Sequence, residues 1–229
     1  MNLLRTLFAA SAMVLLTAAA IADDHDDSNN RNARNASYVV TVTNASGTTF
    51  TPLLVVAHQP SIQLFEVGAA PSEPLAEIAE SGSTAGFEAL LATIPDLVGD
   101  VETTEGLLAP GASVQIELEA SRRVNHLSLA AMLLPTNDSF VGLQSVALPR
   151  LRGTVRSYHA LGYDAGSETN DELCANIPGP QCMGAGPSPD DTGEGYVRVS
   201  PGIAGTADLS SSDYDWRNPV AIVTVERVR

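Results

Sequence analysis

The sequence predicts a mainly β chain, an antiparallel β-sandwich carrying one or two short helices. Three observations predict it. Short runs with β-branched and apolar alternation recur along the chain, from "SYVVTVTN" to "VAIVTVERV". Clusters of Gly, Pro, Asn, Asp and Ser separate them as turns. The helical stretches fall together between the second run and the third, so strands do not alternate with helices as a parallel sheet requires.

The N-terminus stands apart from this pattern. "MNLLRTLFAASAMVLLTAAAIADD" has a basic residue at Arg5, an apolar run from Leu7 to Leu16, and an A-x-A pattern at Ala20-Ile21-Ala22. That is the anatomy of a secretory signal peptide over residues 1–22, with the mature chain starting near Asp23. The apolar run is short for a membrane span. Residues 23–36 are polar, with almost nothing to bury, and read as a disordered acidic leader; "DDHDD" within it reads as a solvated tail. Residues 37–229 then form one domain, a length that one core can serve.

Within that domain "SYVVTVTNAS" reads as a first strand ending in a turn, and "TPLLVVAHQ" (51–59) as a second, buried on both faces. In "PSEPLAEIAESGS" Ser72 can cap a helix, Pro74 suits its first turn, Leu75, Ile78 and Ala79 share one face, and Gly82 ends it. "TAGFEALLATI" reads as a second short helix. After the turn "LAPGAS" come "VQIELEA", "HLSLAAMLLPT", "FVGLQSVALP" and "VRSYHALGY" as strands. A long Pro/Gly/Asp-rich loop over 164–193 precedes "GYVRVS" and "VAIVTVERV". These segments make about eight strands.

Composition narrows the function. Twelve basic residues, all Arg, face 27 acidic ones, for a net charge of −15. Phosphate recognition needs clustered cations, so nucleic acid and anionic lipid are poor partners, whereas cations are favoured. Two cysteines, Cys174 and Cys182, cannot build a four-thiolate zinc site, and their spacing is not CxxC. In an exported chain they read as one local disulfide closing a Pro/Gly loop.

Three acidic turns could carry chemistry. "GYDAGSETNDE" (162–172) holds Asp164, Glu168, Asp171 and Glu172, and Gly166 permits a tight turn between the first two. It is not an EF-hand: with Asp164 as position one, position six is Thr169 and position twelve is Ala175. Alone, it reads as a solvated loop, and any calcium site there must recruit ligands from elsewhere. "LLPTNDSFVG" (133–142) reads as a hairpin turn centred on Asn137 and Asp138. "DLSSSDYDWRNPV" places Trp216 among Asp213, Asp215 and Arg217, where it can form a binding ledge or plug the end of a core. The sequence contains no G-x-S-x-G, H-E-x-x-H or glycine-rich phosphate loop. His58, His126 and His159 sit in separate strand-like runs and read as structural.

The segments "YVVTVTN", "FTPLLVVAH", "LAEIAESG", "MLLPTNDSFVGL", "YDAGSETND" and "WRNPVAIVTV" together resemble the spondin N-terminal domain family. That family includes the spondin domains of F-spondin and mindin and exported bacterial single-domain proteins. The resemblance spans roughly residues 37–228 and implies a C2-like, jelly-roll-related sandwich with a calcium ion in the loops at one end. It places the ligands on Asp138, Asp164 and Glu168. Glu168 departs from the Asp of the animal motif, and "PTN" departs from the turn before Asp138. The expectation is a secreted, extracellular or periplasmic, calcium-binding module for adhesion or ligand binding. It is expected to be non-catalytic and to contact carbohydrate or a matrix or cell-surface protein. The rival is a calcium-dependent hydrolase acting on polysaccharide with the same carboxylates.

Overall fold

The computed structural model describes residues 35–187 and 193–229. The expected signal segment at 1–22 and the leader as far as residue 34 lie outside the described residues. The last leader residue, Ala36, is already in a strand: it is buried and pairs with Ala120.

The chain runs β1 (Ala36–Asn44), β2 (Thr49–Phe50), β3 (Leu54–His58), α1 (Glu73–Ser81), α2 (Ala85–Ala92), β4 (Val98–Thr103) and β5 (Ser113–Ala120). It continues with β6 (His126–Leu134), β7 (Ser139–Ala147), β8 (Val155–Asp164), a 3-10 turn at Cys174–Asn176, β9 (Arg198–Val199), α3 (Ser211–Tyr214) and β10 (Ala221–Arg227). Strand neighbours follow the order β4-β3-β6-β7-β8-β10-β1-β5, with β2 on β6 and β9 on β8, and every pairing is antiparallel.

This path folds into two packed layers with the helices outside one of them. Val40 and Val42 of β1, Leu118 of β5 and Val223 and Val225 of β10 pack against Val55, Leu129, Leu133 and Val141 from β3, β6 and β7. The opposite face of β3, β6 and β7, through Leu54, Val56, Ala130 and Phe140, packs beneath Leu75, Ile78 and Ala79 of α1 and Phe87 and Leu91 of α2. Central strands covered on both faces lose the apolar/polar alternation, which is why "LVVAH" is wholly buried. Strands covered once keep it, as β1 does with its strictly alternating burial.

Helix α1 matches its sequence signature. Ser72 accepts from the Leu75 amide, proline occupies the first turn, and Gly82 closes the helix in the left-handed conformation. Two strands escaped the sequence reading. β2 has two residues, too short for a period. β4, "VGDVET", is an edge strand carrying Gly99 and an acidic, half-exposed face, so it shows no hydrophobic repeat. α3 is a single helical turn inside "DLSSSDYDW", a stretch read as loop.

Candidate functional site

Strand β8 changes partners along its length. Residues 155–160 pair with β10, whereas Leu161 to Asp164 pair with Gly142 to Ser139 of β7. The register sets Asp164 opposite Ser139, so the turn entering β7 and the turn leaving β8 share one end of the sheet. Asp138 and the 164–168 turn, far apart in sequence, therefore meet.

The entering turn is held by its own side chains. The Thr136 hydroxyl donates to the Leu133 carbonyl at 2.6 Å and accepts from the Ser139 amide at 3.1 Å. Asn137 donates through Nδ2 to Asp171 at 3.0 Å and accepts from the Glu172 amide at 3.1 Å. Asp138 is fully buried. Its Oδ2 accepts from the amides of Ser167 at 2.8 Å and Glu168 at 3.0 Å. Its Oδ1 is buried with no hydrogen-bond partner among the described residues.

The leaving turn wraps round that carboxylate. Asp164 is also fully buried. Its Oδ1 accepts from the Gly166 amide at 2.8 Å, and its Oδ2 accepts from Asn170 at 2.9 Å and from Arg198 of β9 at 3.1 Å. Gly166 has φ +69°, and a Cβ there would sit 2.4 Å from the Tyr196 carbonyl oxygen, so only glycine fits. The Glu168 side chain is buried in the same turn. Among the described residues, no group of three or more His, Cys, Asp and Glu side chains is assembled such that it could hold a metal by itself. A cation here would also need backbone or water oxygens, which suits a hard ion of high coordination number.

The electrostatics follow from burial. The Asp138 carboxyl is pushed up to about 7, first by burial, then by the charges of Asp164 and Glu194; the amides of Glu168 and Ser167 oppose the rise. Burial and the Glu194 charge also raise Asp164, while Arg198 and Asn170 pull it back. Arg198, which also pairs with Glu194, is the cation that sequence reasoning missed. It lies 34 residues from Asp164, in the strand read from "GYVRVS", where nothing local marks its partner.

Asp171 and Glu172, read from sequence as plain loop charges, are structural. Asp171 accepts from Asn137 at 3.0 Å, the Leu173 amide at 2.9 Å and Asn176 at 2.6 Å. Glu172 is buried, and its carboxylate gathers the amides of Ala204 at 2.6 Å and Thr206 at 2.7 Å. Sequence could not place it, because its partners are backbone groups of a distant loop. Glu172→Ala should cost about 2–4 kcal/mol in urea unfolding, since it strands two amides, with Glu172→Gln recovering part of the loss. Equal stability of the alanine variant and the parent would contradict this role.

Cys174 and Cys182 form the expected disulfide, with an S–S distance of 2.08 Å. It ties the loop beside Glu172, where the Cys174 amide also donates to Asp208 at 2.9 Å. Trp216 is buried in the main core, as a plug and not a ledge. His58 is buried and held at both nitrogens, by the Gln59 carbonyl at 2.7 Å and the Ser128 hydroxyl at 2.8 Å. His126 is half-buried beside Asn125, and His159 is exposed. No helix among the described residues is long and apolar enough to cross a membrane.

The family model described as Spondin_N matches residues 37–170, more than half of the chain. The matched span includes Asp138, Asp164 and Glu168 and ends before Cys174. No curated protein matches the chain.

Proposed function

The chain belongs to the spondin N-terminal domain family, and from that premise we propose that it is a secreted, calcium-stabilised binding module without catalytic activity. The family and the Cys174–Cys182 disulfide both accord with an extracellular domain. The observation that carries the calcium reading is Asp138. One of its oxygens is held by two amides and the other lies buried without a partner among the described residues, beside a second buried aspartate. A divalent ion offsets such repulsion and takes the unbonded oxygen as a ligand. Asp138, Asp164 and Glu168 would hold the ion, with Arg198 partly neutralising Asp164 from the other side. Its contribution would be to lock the turns at this end of the sandwich.

The non-catalytic reading is supported by how these carboxylates are used. Asp138 and Asp164 are buried and bound to amides, an amide side chain and an arginine, which suits a scaffold better than proton transfer to a substrate. The proposed ligand is extracellular carbohydrate or a matrix or cell-surface protein, to be sought by glycan and matrix-protein screening.

Thermal unfolding of the mature protein with calcium and with chelator tests the site. A ligand present at about a thousand times its Kd adds about 4 kcal/mol to the native state, a shift of many degrees in Tm. Asp138→Ala and Asp164→Ala should each remove the calcium-dependent part. An identical Tm in calcium and chelator, or a shift that both variants retain, would refute the calcium site.

A further inference from the structure

We infer that the seam between β4 and β5 is a docking groove for an extended basic peptide, which binds as an added strand along the open edge of β5. In the strand order β4 and β5 are the two ends: β4 pairs only with β3 and β5 only with β1 among the described residues. They nevertheless face each other. At one end of the seam the Glu119 amide donates to the Asp100 carboxylate at 2.7 Å. A Cβ on Gly99 would lie 3.3 Å from the Glu119 carbonyl oxygen, so the backbones come close there. Farther along, no backbone hydrogen bond joins the two strands among the described residues. A cleft of about 330 Å³ opens instead, lined by Glu102, Thr103 and Glu105 on one side and Gln115, Ile116 and Glu117 on the other.

The register tells which backbone groups point into it. In an antiparallel pair, alternate residues turn their N–H and C=O towards the partner strand. The Glu119 amide points into the seam, so those of Glu117 and Gln115 do as well. The Thr104 amide donates to the Leu53 carbonyl at 3.0 Å, so residues 104 and 102 face β3, and the main chain of Val101 and Thr103 faces the seam. Unpaired strand edges of this kind accept an added strand.

Charge selects the occupant. Glu102, Glu105 and Glu117 are exposed, and among the described residues no arginine lines the cleft. The net charge of −15 extends the negative field beyond it. The inner wall is apolar through Ile116 and Val114. A strand that alternates basic and apolar residues puts its cations on the glutamates and its small apolar side chains over the wall. The groove is independent of the Asp138 turn and of calcium.

The probe is a blocked Arg-Val-Arg-Val-Arg peptide carrying a fluorophore, titrated into the mature protein and read by anisotropy. Two controls are an acidic Glu-Val-Glu-Val-Glu peptide and a copy of the basic peptide N-methylated at alternate amides, which keeps charge but cannot pair. The N-methylated and acidic peptides should bind at least about tenfold more weakly, and Glu102→Arg with Glu117→Arg should weaken the basic peptide by about tenfold or more. Amide hydrogen exchange should show added protection at Gln115, Glu117, Val101 or Thr103 when the peptide binds. The inference is overturned if the basic peptide does not bind, or if the N-methylated copy binds as tightly, since the attraction is then charge alone. Protection elsewhere with none along the seam overturns it equally.

Discussion

Asp138→Asn is expected to stabilise the calcium-free protein at pH 8 while abolishing its response to calcium. The two effects have one cause. In the parent the carboxylate is buried beside Asp164, and its ionisation is opposed strongly enough to move it up to about 7. An amide keeps an oxygen for the Ser167 and Glu168 donors and removes the charge. The relief is on the order of 2–4 kcal/mol, from the displacement of the carboxyl from its ordinary value of 3.8 to about 7. Its sign with pH follows from proton binding. Between 3.8 and about 7 the native state holds a proton that the unfolded chain has released, so stability present below 3.8 is lost as pH rises through 7. Chelator-treated parent protein should therefore lose Tm across that window, Asp138→Asn should lose less, and calcium should restore the parent above it. If the parent in chelator is flat with pH and the variant is less stable at pH 8, Asp138 carries no such burden.

Phe140→Ala should cost about 3–5 kcal/mol, the cost of emptying a large buried aromatic site. Phe140 is fully buried, with its ring 5.1 Å from Phe65 in an edge contact and 5.5 Å from Tyr163 in a stack. Those partners also crowd Gly142, where a Cβ would meet Phe65 at 2.8 Å, so the cavity has packed walls that cannot close freely. Phe140 is paired with Tyr163, one position inside the Ser139–Asp164 pair. Loss of the ring should thus loosen the turn that holds Asp138 as well as the sheet, and calcium should raise Tm less in the variant than in the parent. Guanidinium unfolding with and without calcium measures both. A loss below about 1 kcal/mol would mean that the cluster repacks around the gap.

How far the sequence reached differs from element to element. α1 could be read from Ser72, Pro74 and Gly82, because caps act within a few residues of the helix end. β1 could be read from its alternation, because one covered face imposes period two on side chains. β4 could not, since an edge strand on a polar seam carries little apolar pattern. At the site, Asp164 and Glu168 stand out as acids either side of Gly166 and Asp138 as an acid in a hairpin turn, and the resemblance to the spondin family joins the three. Arg198 and Glu172 had no such mark. Arg198 answers an aspartate 34 residues away, and Glu172 answers amides of residues 204 and 206.

The class of fold, the capped helix, the acidic character and the pair of cysteines are legible in the chain as written, because each rests on interactions between near neighbours or on composition. It takes the folded chain to show that β8 changes partners midway and so carries Asp164 to Ser139, that one oxygen of Asp138 is bonded while the other has no partner among the described residues, and that β4 and β5 end as facing open edges. Those are matters of register and burial. They depend on how distant strands align, and a buried charge acquires its energetic meaning only once the surrounding chain has excluded water.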